Sequence, residues 1–362
     1  MTALEKSPPR KTEINKTGSP VVILLLESFV DPLDFRIRFD RDPIPNFREF
    51  AKRHGLFYAQ VPGFGGSTEN TTFELLTGAP IYHLPKDTKP NVHYIRRPLD
   101  SIVRSFQSSG YRSIGLHNFH GWAWRRNLVW PWLGFESIQF GPDFEQVALN
   151  EQDWPTSDKP LFDAIERELL KPDILPPFIY AVSVATHGPY RSRSGNQQER
   201  VQVLDSPAEL QVTDWHIDRL EDYVSRLSVL DRELKPLFEA IERSGARFLI
   251  LGDHHPSPSL SFTHHLGPPG TPKFQSTEPR LHLTPAIVDR MTHRRWARKD
   301  PFPGHCVGLE FSSALGISLS RLQTIFHKRC SFEREVASSK HSKEEKNLVY
   351  DLLFSELGLE PK

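Results

Sequence analysis

Cysteine is nearly absent from this 362-residue chain: Cys306 and Cys330 are the whole supply, which offers no disulfide framework and no cysteine-rich metal site. Long hydrophobic runs are missing as well. The longest, residues 21–26, is far too short to span a bilayer. The opening stretch, MTALEKSPPRKTEINKTGSP, is polar and lacks the apolar core of a signal peptide. Neither charge sign dominates: 45 Lys and Arg stand against 45 Asp and Glu, so no basic excess points to nucleic acid. Internal repeats are also lacking. These absences predict a soluble protein with no membrane span of its own and a flexible polar leader over residues 1–18. Its expected location is the cytoplasm, with peripheral membrane association left open. What is plentiful is proline, at 31 residues, with 7 tryptophans, a composition of ordered loops around a rigid scaffold. The length suits one large domain or two modest ones with a substantial core.

The first folded element is Val21-Val-Ile-Leu-Leu-Leu, six apolar residues without alternation. Such a run reads as a strand buried on both faces, as in a parallel sheet. It ends in Glu27-Ser28. A helix over 45–55 and an apolar strand over 56–61 follow. A helix over 99–110 and a strand over 111–116 then deliver His117. After Ser157-Asp158 comes an amphipathic helix over 161–170, and a third central strand over 177–185 leads to Thr186-His187-Gly188-Pro189-Tyr190. Apolar residues at Ile217, Leu220, Val224, Leu227, Leu230, Leu234 and Leu237 predict a long helix that Pro236 could kink. A strand over 246–252 ends in Asp253-His254-His255. Ligands gather at the carboxyl ends of strands in open α/β sheets, and here four strands end in polar residues of metal- or phosphate-binding type. The pattern predicts an α/β fold with an active site along one sheet edge.

Residues 61–78, VPGFGGSTENTTFELLTG, carry the most chemistry. Gly63, Gly65 and Gly66 let the backbone turn sharply and approach an anion. Ser67 and Thr68 place two hydroxyls where the loop enters a helix, next to unpaired backbone N–H groups and partial positive charge. A plain Ser/Thr helix cap reads equally well from this stretch alone. Glu27, Asp253 and His254 form a hard, oxygen-rich donor set suited to one divalent cation. A metal beside Thr68 would make its hydroxyl a nucleophile. His187 and Arg126 could stabilise charge on a transferring phosphoryl group. In HNFHGWAWRRNLVWPWLGF, Trp122, Trp124, Arg125 and Arg126 could stack a small polyol and pair a phosphate; core or interface tryptophans are the alternative.

The chain resembles the lipoteichoic acid synthase group, the phosphoglycerol transferases within the alkaline phosphatase and sulfatase superfamily. The resemblance rests on Glu27-Ser28-Phe29, on GGSTENTTFELLTG, on His117 with Trp124 and Arg126 ahead of Leu133-Gly134-Phe135, on Thr186-His187-Gly188-Pro189-Tyr190, and on Gly252-Asp253-His254. It covers residues 21–290, LHLTPAIVDR included. It implies a three-layer sandwich with a mostly parallel central sheet and helices on both faces. It also implies transfer of a phosphoglycerol-like group through a covalent intermediate on Thr68, from a glycerophospho- or phospholipid-type donor to a glycan or polyol acceptor. Glu27, Thr68, Asp253 and His254 would hold one divalent metal, manganese first, with magnesium or zinc as alternatives. His117, Trp124, Arg126 and His187 would line the glycerol-phosphate pocket, His187 with a catalytic part.

Two departures qualify the resemblance. Members of the group carry transmembrane helices before the catalytic domain, and this chain has none, so a membrane-bound partner or a soluble substrate is implied. The Cys/Ser-x-Pro-x-Arg motif of sulfatases proper is absent, which argues against sulfate-ester hydrolysis. Hydrolysis of a phosphodiester or phosphomonoester, or glycan and phosphate binding without catalysis, remain alternative readings. His255 reads as a neighbour of the metal set and not a ligand. The expected organisation is a catalytic domain over 19–300 with an appendage over 301–362 packed on it. That appendage would hold a short strand near 305–309, helices over 311–326 and 344–357, and a charged face or linker over 328–346. The tract 257–277, with His264 and His265, reads as a long loop near the site.

Overall fold

The computed structural model describes residues 18–35, 37–85, 87–144, 154–190, 200–206, 212–256, 279–296, 301–335, 352–357 and 359–360. Strand β1, Val21–Leu26, has every residue buried. Val21, Ile23 and Leu25 join one hydrophobic cluster, while Val22, Leu24 and Leu26 join a second. A strand clad on both faces needs apolar residues at every position, and this explains the absence of alternation. Each such side chain contributes about 2 kcal/mol relative to exposure.

Seven further strands extend the sheet: β2 (Gly55–Gln60), β3 (Arg112–His117), β4 (Ser137–Gln139), β5 (Pro177–Val182), β6 (Arg247–Gly252), β7 (Leu283–Val288) and β8 (Phe302–Pro303). Their spatial order is β8-β2-β7-β6-β1-β5-β3-β4. Val21 of β1 lies opposite Phe178 of β5 and Arg247 of β6, both pairings parallel. Only β7 opposes the others, running antiparallel to β2 and to β6. The fold is therefore α/β with a mostly parallel sheet of 8 strands, flanked by helices. On one face, helices α1 (Pro45–Arg53), α5 (Lys159–Leu170) and α6 (Asp214–Ser244) cover the second cluster. The first cluster is covered by α2 (Thr68–Thr77), α3 (Ile102–Ser108), α4 (Arg126–Leu133), α7 (Gly304–Ala314) and α8 (Arg321–Glu335).

Several element readings change. Pro236 lies inside α6, which continues for 31 residues. The apolar run 305–309 is not a strand; it lies in α7, and the strand sits just before it at β8. A short apolar run suits a buried helix as well as a strand, and here Gly308 lets α7 press onto α2. A Cβ at position 308 would stand 1.9 Å from the Leu75 carbonyl oxygen. The helix expected over 311–326 is broken between α7 and α8. The two cysteines are joined after all, as a single Cys306–Cys330 disulfide that ties α7 to α8. Among the described residues no helix is long and apolar enough to cross a membrane. The leader over residues 1–17, the tract 257–277 with His264 and His265, and residues 336–351 lie outside the described residues.

Candidate active site

Two adjacent parallel strands, β1 and β6, end side by side and deliver Glu27-Ser28 and Asp253-His254 to one place. Ser28 adopts a left-handed backbone, φ 49°. Three contacts hold it there: its N–H donates to Asp253 Oδ1 at 2.7 Å, its hydroxyl donates to Glu27 Oε1 at 2.7 Å, and Tyr223 donates to its carbonyl at 2.7 Å. Left-handed non-glycine residues cost about 1–3 kcal/mol each and concentrate at functional sites. Ser67, Trp124 and Arg125 share this conformation and border the same region.

The glycine loop reaches the site from β2. Gly63–Phe64 pairs in parallel with His254–His255. A side chain at Gly63 would meet the Gly66 carbonyl oxygen at 2.7 Å and His254 Cβ at 3.2 Å, so the close approach of loop and histidine requires glycine there. Ser67 then turns the chain into α2, whose first residue is Thr68. The Thr68 hydroxyl donates to Glu27 Oε2 at 3.2 Å, and Thr71 Oγ1 donates to the Asp253 carbonyl at 2.7 Å. The Ser67 hydroxyl points elsewhere and receives a hydrogen bond from Lys89 Nζ.

Glu27, Asp253 and His254 are buried, and one donor atom from each falls within 4.8 Å of the others. His254 Nε2 lies 3.2 Å from Asp253 Oδ2 and 3.5 Å from Glu27 Oε1. Yet neither His254 Nε2 nor Asp253 Oδ2 has a hydrogen-bond partner. Buried polar atoms left facing one another are costly, and a divalent cation between them would satisfy both. His254 Nδ1 sits 2.7 Å from the His255 carbonyl, which fixes the ring with Nε2 turned to the carboxylates. Two carboxylates, an imidazole and a hydroxyl therefore fit one metal ion. Burial would raise the Glu27 carboxyl, but His254, His187 and the Ser28 and Thr68 hydroxyls hold it below its ordinary value. Burial, then the charge of Glu27, pushes Asp253 up to about 7. For His254, burial is outweighed by the two carboxylates and the ring is raised. His255 Nε2 lies 2.7 Å from the Leu283 carbonyl and serves to brace the strand end.

On the β3 side, His117 is buried with Nδ1 at 2.8 Å from the Val182 carbonyl and Nε2 without a partner. Burial and the neighbouring Arg126 hold it well below the usual histidine range, hence neutral. Arg126 is itself buried at the start of α4 and donates to the Ala123 carbonyl at 3.4 Å. A neutral imidazole beside a buried guanidinium suits an anionic group with hydroxyls. Trp124 stands at the rim, 37% exposed, with Lys89 Nζ 4.8 Å above its ring. Lys89 also reaches Glu69 Oε1 at 3.4 Å, and so links the rim to the residue after Thr68.

His187 arrives on the loop after β5, and that loop grips Glu27 from both sides. Ser183 Oγ accepts from the Glu27 N–H at 2.9 Å, while Thr186 Oγ1 donates to the Glu27 carbonyl. Asp158, fully buried, accepts from the Val184 N–H at 2.9 Å, the Ala185 N–H at 3.1 Å and Asn118 Nδ2 at 2.8 Å. Burial, with help from the charge of Glu233, raises its carboxyl to about 7. Trp154 stacks on the His187 ring at 3.8 Å, and Arg226 donates to the His187 carbonyl at 2.8 Å.

The structure thus draws Glu27, Thr68, Asp253 and His254 into one buried group. His117, Arg126 and His187 stand around it, and Trp124 lies at its edge. Sequence reasoning missed Glu69, Lys89, Trp154 and Asp158. Glu69 adjoins Thr68 and Asp158 was visible only as part of a loop; Lys89 and Trp154 carry no motif or periodicity.

The sulfatase family model matches residues 19–293 of the chain. A Rhizobium meliloti protein, provisionally named as a cyclic beta-1,2-glucan modification protein, is 32% identical over 261 residues, covering 70% of this chain and 39% of that protein. A protein of uncharacterised function from Haemophilus influenzae is 22% identical, covering 70% and 46%. The chain therefore spans less than half the length of either relative. The Streptococcus pyogenes phosphoglycerol transferase GacH, solved with sn-glycerol-1-phosphate, has a similar fold: TM-score 0.70, 20% identity, 98% of this chain and 92% of that one. The lipoteichoic acid synthase LtaP from Listeria monocytogenes follows at 0.60, 15% identity, 84% and 73%. The C-terminal periplasmic domain of EcEptC from Escherichia coli, solved in complex with zinc, gives 0.58, 13% identity and 85% of each chain. With its family match over most of its length, the chain belongs to the sulfatase family, and it shares its fold with the GacH and LtaP structures.

Proposed function

We propose that this enzyme transfers a phosphoglycerol-like group, through a covalent intermediate on Thr68, from a glycerophospho- or phospholipid-type donor to a glycan or polyol acceptor. One observation carries the reading: the Thr68 hydroxyl is hydrogen-bonded to Glu27 inside a buried carboxylate–imidazole cluster that has two polar atoms unsatisfied. A binding module has no need of a nucleophile placed this way. Glu27, Asp253, His254 and the Thr68 oxygen would hold one divalent ion, manganese first among manganese, magnesium and zinc. That ion, when bound, would supply Lewis acidity that favours ionisation of the threonine hydroxyl.

Thr68 oxygen would attack phosphorus, and the bond to the donor's leaving alcohol would break. The acceptor hydroxyl would then displace Thr68 and restore it. Arg126 would balance the phosphoryl charge, and neutral His117 would accept a hydrogen bond from a glycerol hydroxyl through Nε2. His187, oriented by the Asp158-braced loop, would contact the transferring group. Trp124 would bound the glycerol side. The names of GacH, LtaP and the beta-1,2-glucan protein are compatible with such a donor and a glycan acceptor. The disulfide supports work in an oxidising compartment over the cytoplasm.

Intact-protein mass spectrometry tests the reading, with Mn²⁺ and a panel of glycerophospho donors, wild type beside Thr68→Ala. A phosphoglycerol mass gain in wild type alone is the expected result. Turnover of a phosphodiester by the wild type with no adduct and no transfer to any acceptor would replace transfer with hydrolysis.

A further inference from the structure

Aromatic rings lead away from His187 in an unbroken series. His187 stacks on Trp154 at 3.8 Å and 14°, and Trp154 stacks on Phe119 at 4.2 Å and 12°. Phe119 touches both His120, at 4.9 Å, and Trp122, at 6.3 Å. His120 and Trp122 are themselves near-parallel, at 5.4 Å and 17°. The series ends in solvent, because Trp122 is 68% exposed.

That exposure sets Trp122 apart. The other two exposed tryptophans each carry a cation over the ring, Lys89 over Trp124 at 4.8 Å and Arg219 over Trp215 at 3.6 Å. Trp122 rests one face against His120, and among the described residues no cation stands over its ring. Exposing an indole forfeits the hydrophobic stabilisation that burial would give, so a ring held in order by its neighbours and left open is suited to a ligand. A single open ring is also far smaller than the patch that a protein partner needs, about 800 Å² per side.

We propose that Trp122 is the outer end of an acceptor platform, on which a neutral hexopyranose of the glycan acceptor stacks while Phe119 and Trp154 line the way to His187. The inference rests on the transfer reading and names where its acceptor binds. A pyranose offers a face of C–H groups that matches an indole face, with hydroxyls left at the rim for water. Stacking needs no charge, and the Phe119, Trp122 and Trp154 rings carry none. The ring series also meets a geometric requirement, since an acceptor hydroxyl would have to travel from solvent to phosphorus on Thr68, whose partner Glu27 feels the His187 ring.

The test uses the full chain and a neutral β-linked gluco-oligosaccharide. Transfer is followed with a donor that gives the Thr68 adduct, and sugar binding is followed separately by calorimetry. In Trp122→Ala the acceptor KM should rise about tenfold, the effect of losing one stacking partner, with kcat changed much less. The sugar affinity measured by calorimetry should fall in parallel, and Trp122→Phe should recover most of both. An unchanged KM and an unchanged calorimetric affinity for the sugar would overturn the proposal. So would loss of acceptor-independent adduct formation in Trp122→Ala, which would place the ring in the donor site. Trp122-dependent binding to phospholipid vesicles without any sugar effect would overturn it in favour of a membrane contact. If wild type forms no adduct, the transfer reading fails, and the calorimetric comparison of wild type with Trp122→Ala alone decides whether Trp122 binds sugar.

Discussion

Asp158 offers a quantitative test of how the His187 loop is held. Its carboxyl is raised from 3.8 to about 7, which at 1.36 kcal/mol per unit corresponds to about 4 kcal/mol. The folded protein therefore binds more protons than the unfolded chain across that window. Stability from this group is fullest below pH about 4 and falls as pH rises towards 7. Between pH 5 and 8, about 2.5 kcal/mol of the loss is expressed. Replacing Asp158 with alanine removes this pH-dependent cost. It also strands the Val184 and Ala185 N–H groups and the Asn118 amide, at about 1–3 kcal/mol each. The variant should thus be less stable than wild type, with a deficit that shrinks by about 2.5 kcal/mol from pH 5 to pH 8. Urea unfolding of both proteins at the two pH values measures this, and groups that titrate alike in both cancel in the difference. Adduct formation should slow by about tenfold or more as the His187 loop loosens, and Asp158→Asn should recover part of it. A deficit that stays constant, or widens, with rising pH would refute the reasoning, because Asp158 would then be an ordinary ionised carboxylate throughout.

Metal binding should strengthen from pH 5 to 8, since Asp253, at about 7, and the raised His254 must both lose protons before ligation. Calorimetry with Mn²⁺ checks this, and Asp253→Ala should abolish the signal at either pH. Cys306→Ser opens a bridge with a sequence separation of 24, which is expected to cost about 3.5 kcal/mol at 25 °C; a reductant should lower the wild-type Tm and leave the variant's unchanged. Gly308→Ala places a methyl 1.9 Å from the Leu75 carbonyl oxygen, so α2 must shift. About 3 kcal/mol of stability should be lost by urea titration.

The parts of the fold that sequence made legible are those where one physical rule dominates. A strand buried on both faces has to be apolar throughout, so β1 and β6 stand out, and polar residues at their ends mark the site edge. Asp253-His254 follows from the same logic, whereas Thr68 is marked by the glycine loop that runs into α2. The run at 305–309 was ambiguous because its burial is complete in either a strand or a helix, and the choice was made by α2 packing against Gly308. Lys89, Trp154 and Asp158 were invisible because their partners are distant in sequence, and only the folded sheet brings them within reach. The disulfide has the same origin: nothing near Cys306 announces Cys330 until α7 and α8 are side by side.

The clasp on Glu27 has a consequence for how this scaffold can be altered. Ser183 and Thr186 hold the two ends of the Glu27 residue from the very loop that carries His187. Strand β1 and that loop therefore form one mechanical part, and a shift of one drags the other. Engineering of new specificities has little freedom at this junction and should begin in the segment that bears Trp122 and Trp124. The same linkage makes the proposed metal position a natural listening post, where a paramagnetic ion bound there would register events at His187 in its own spectrum.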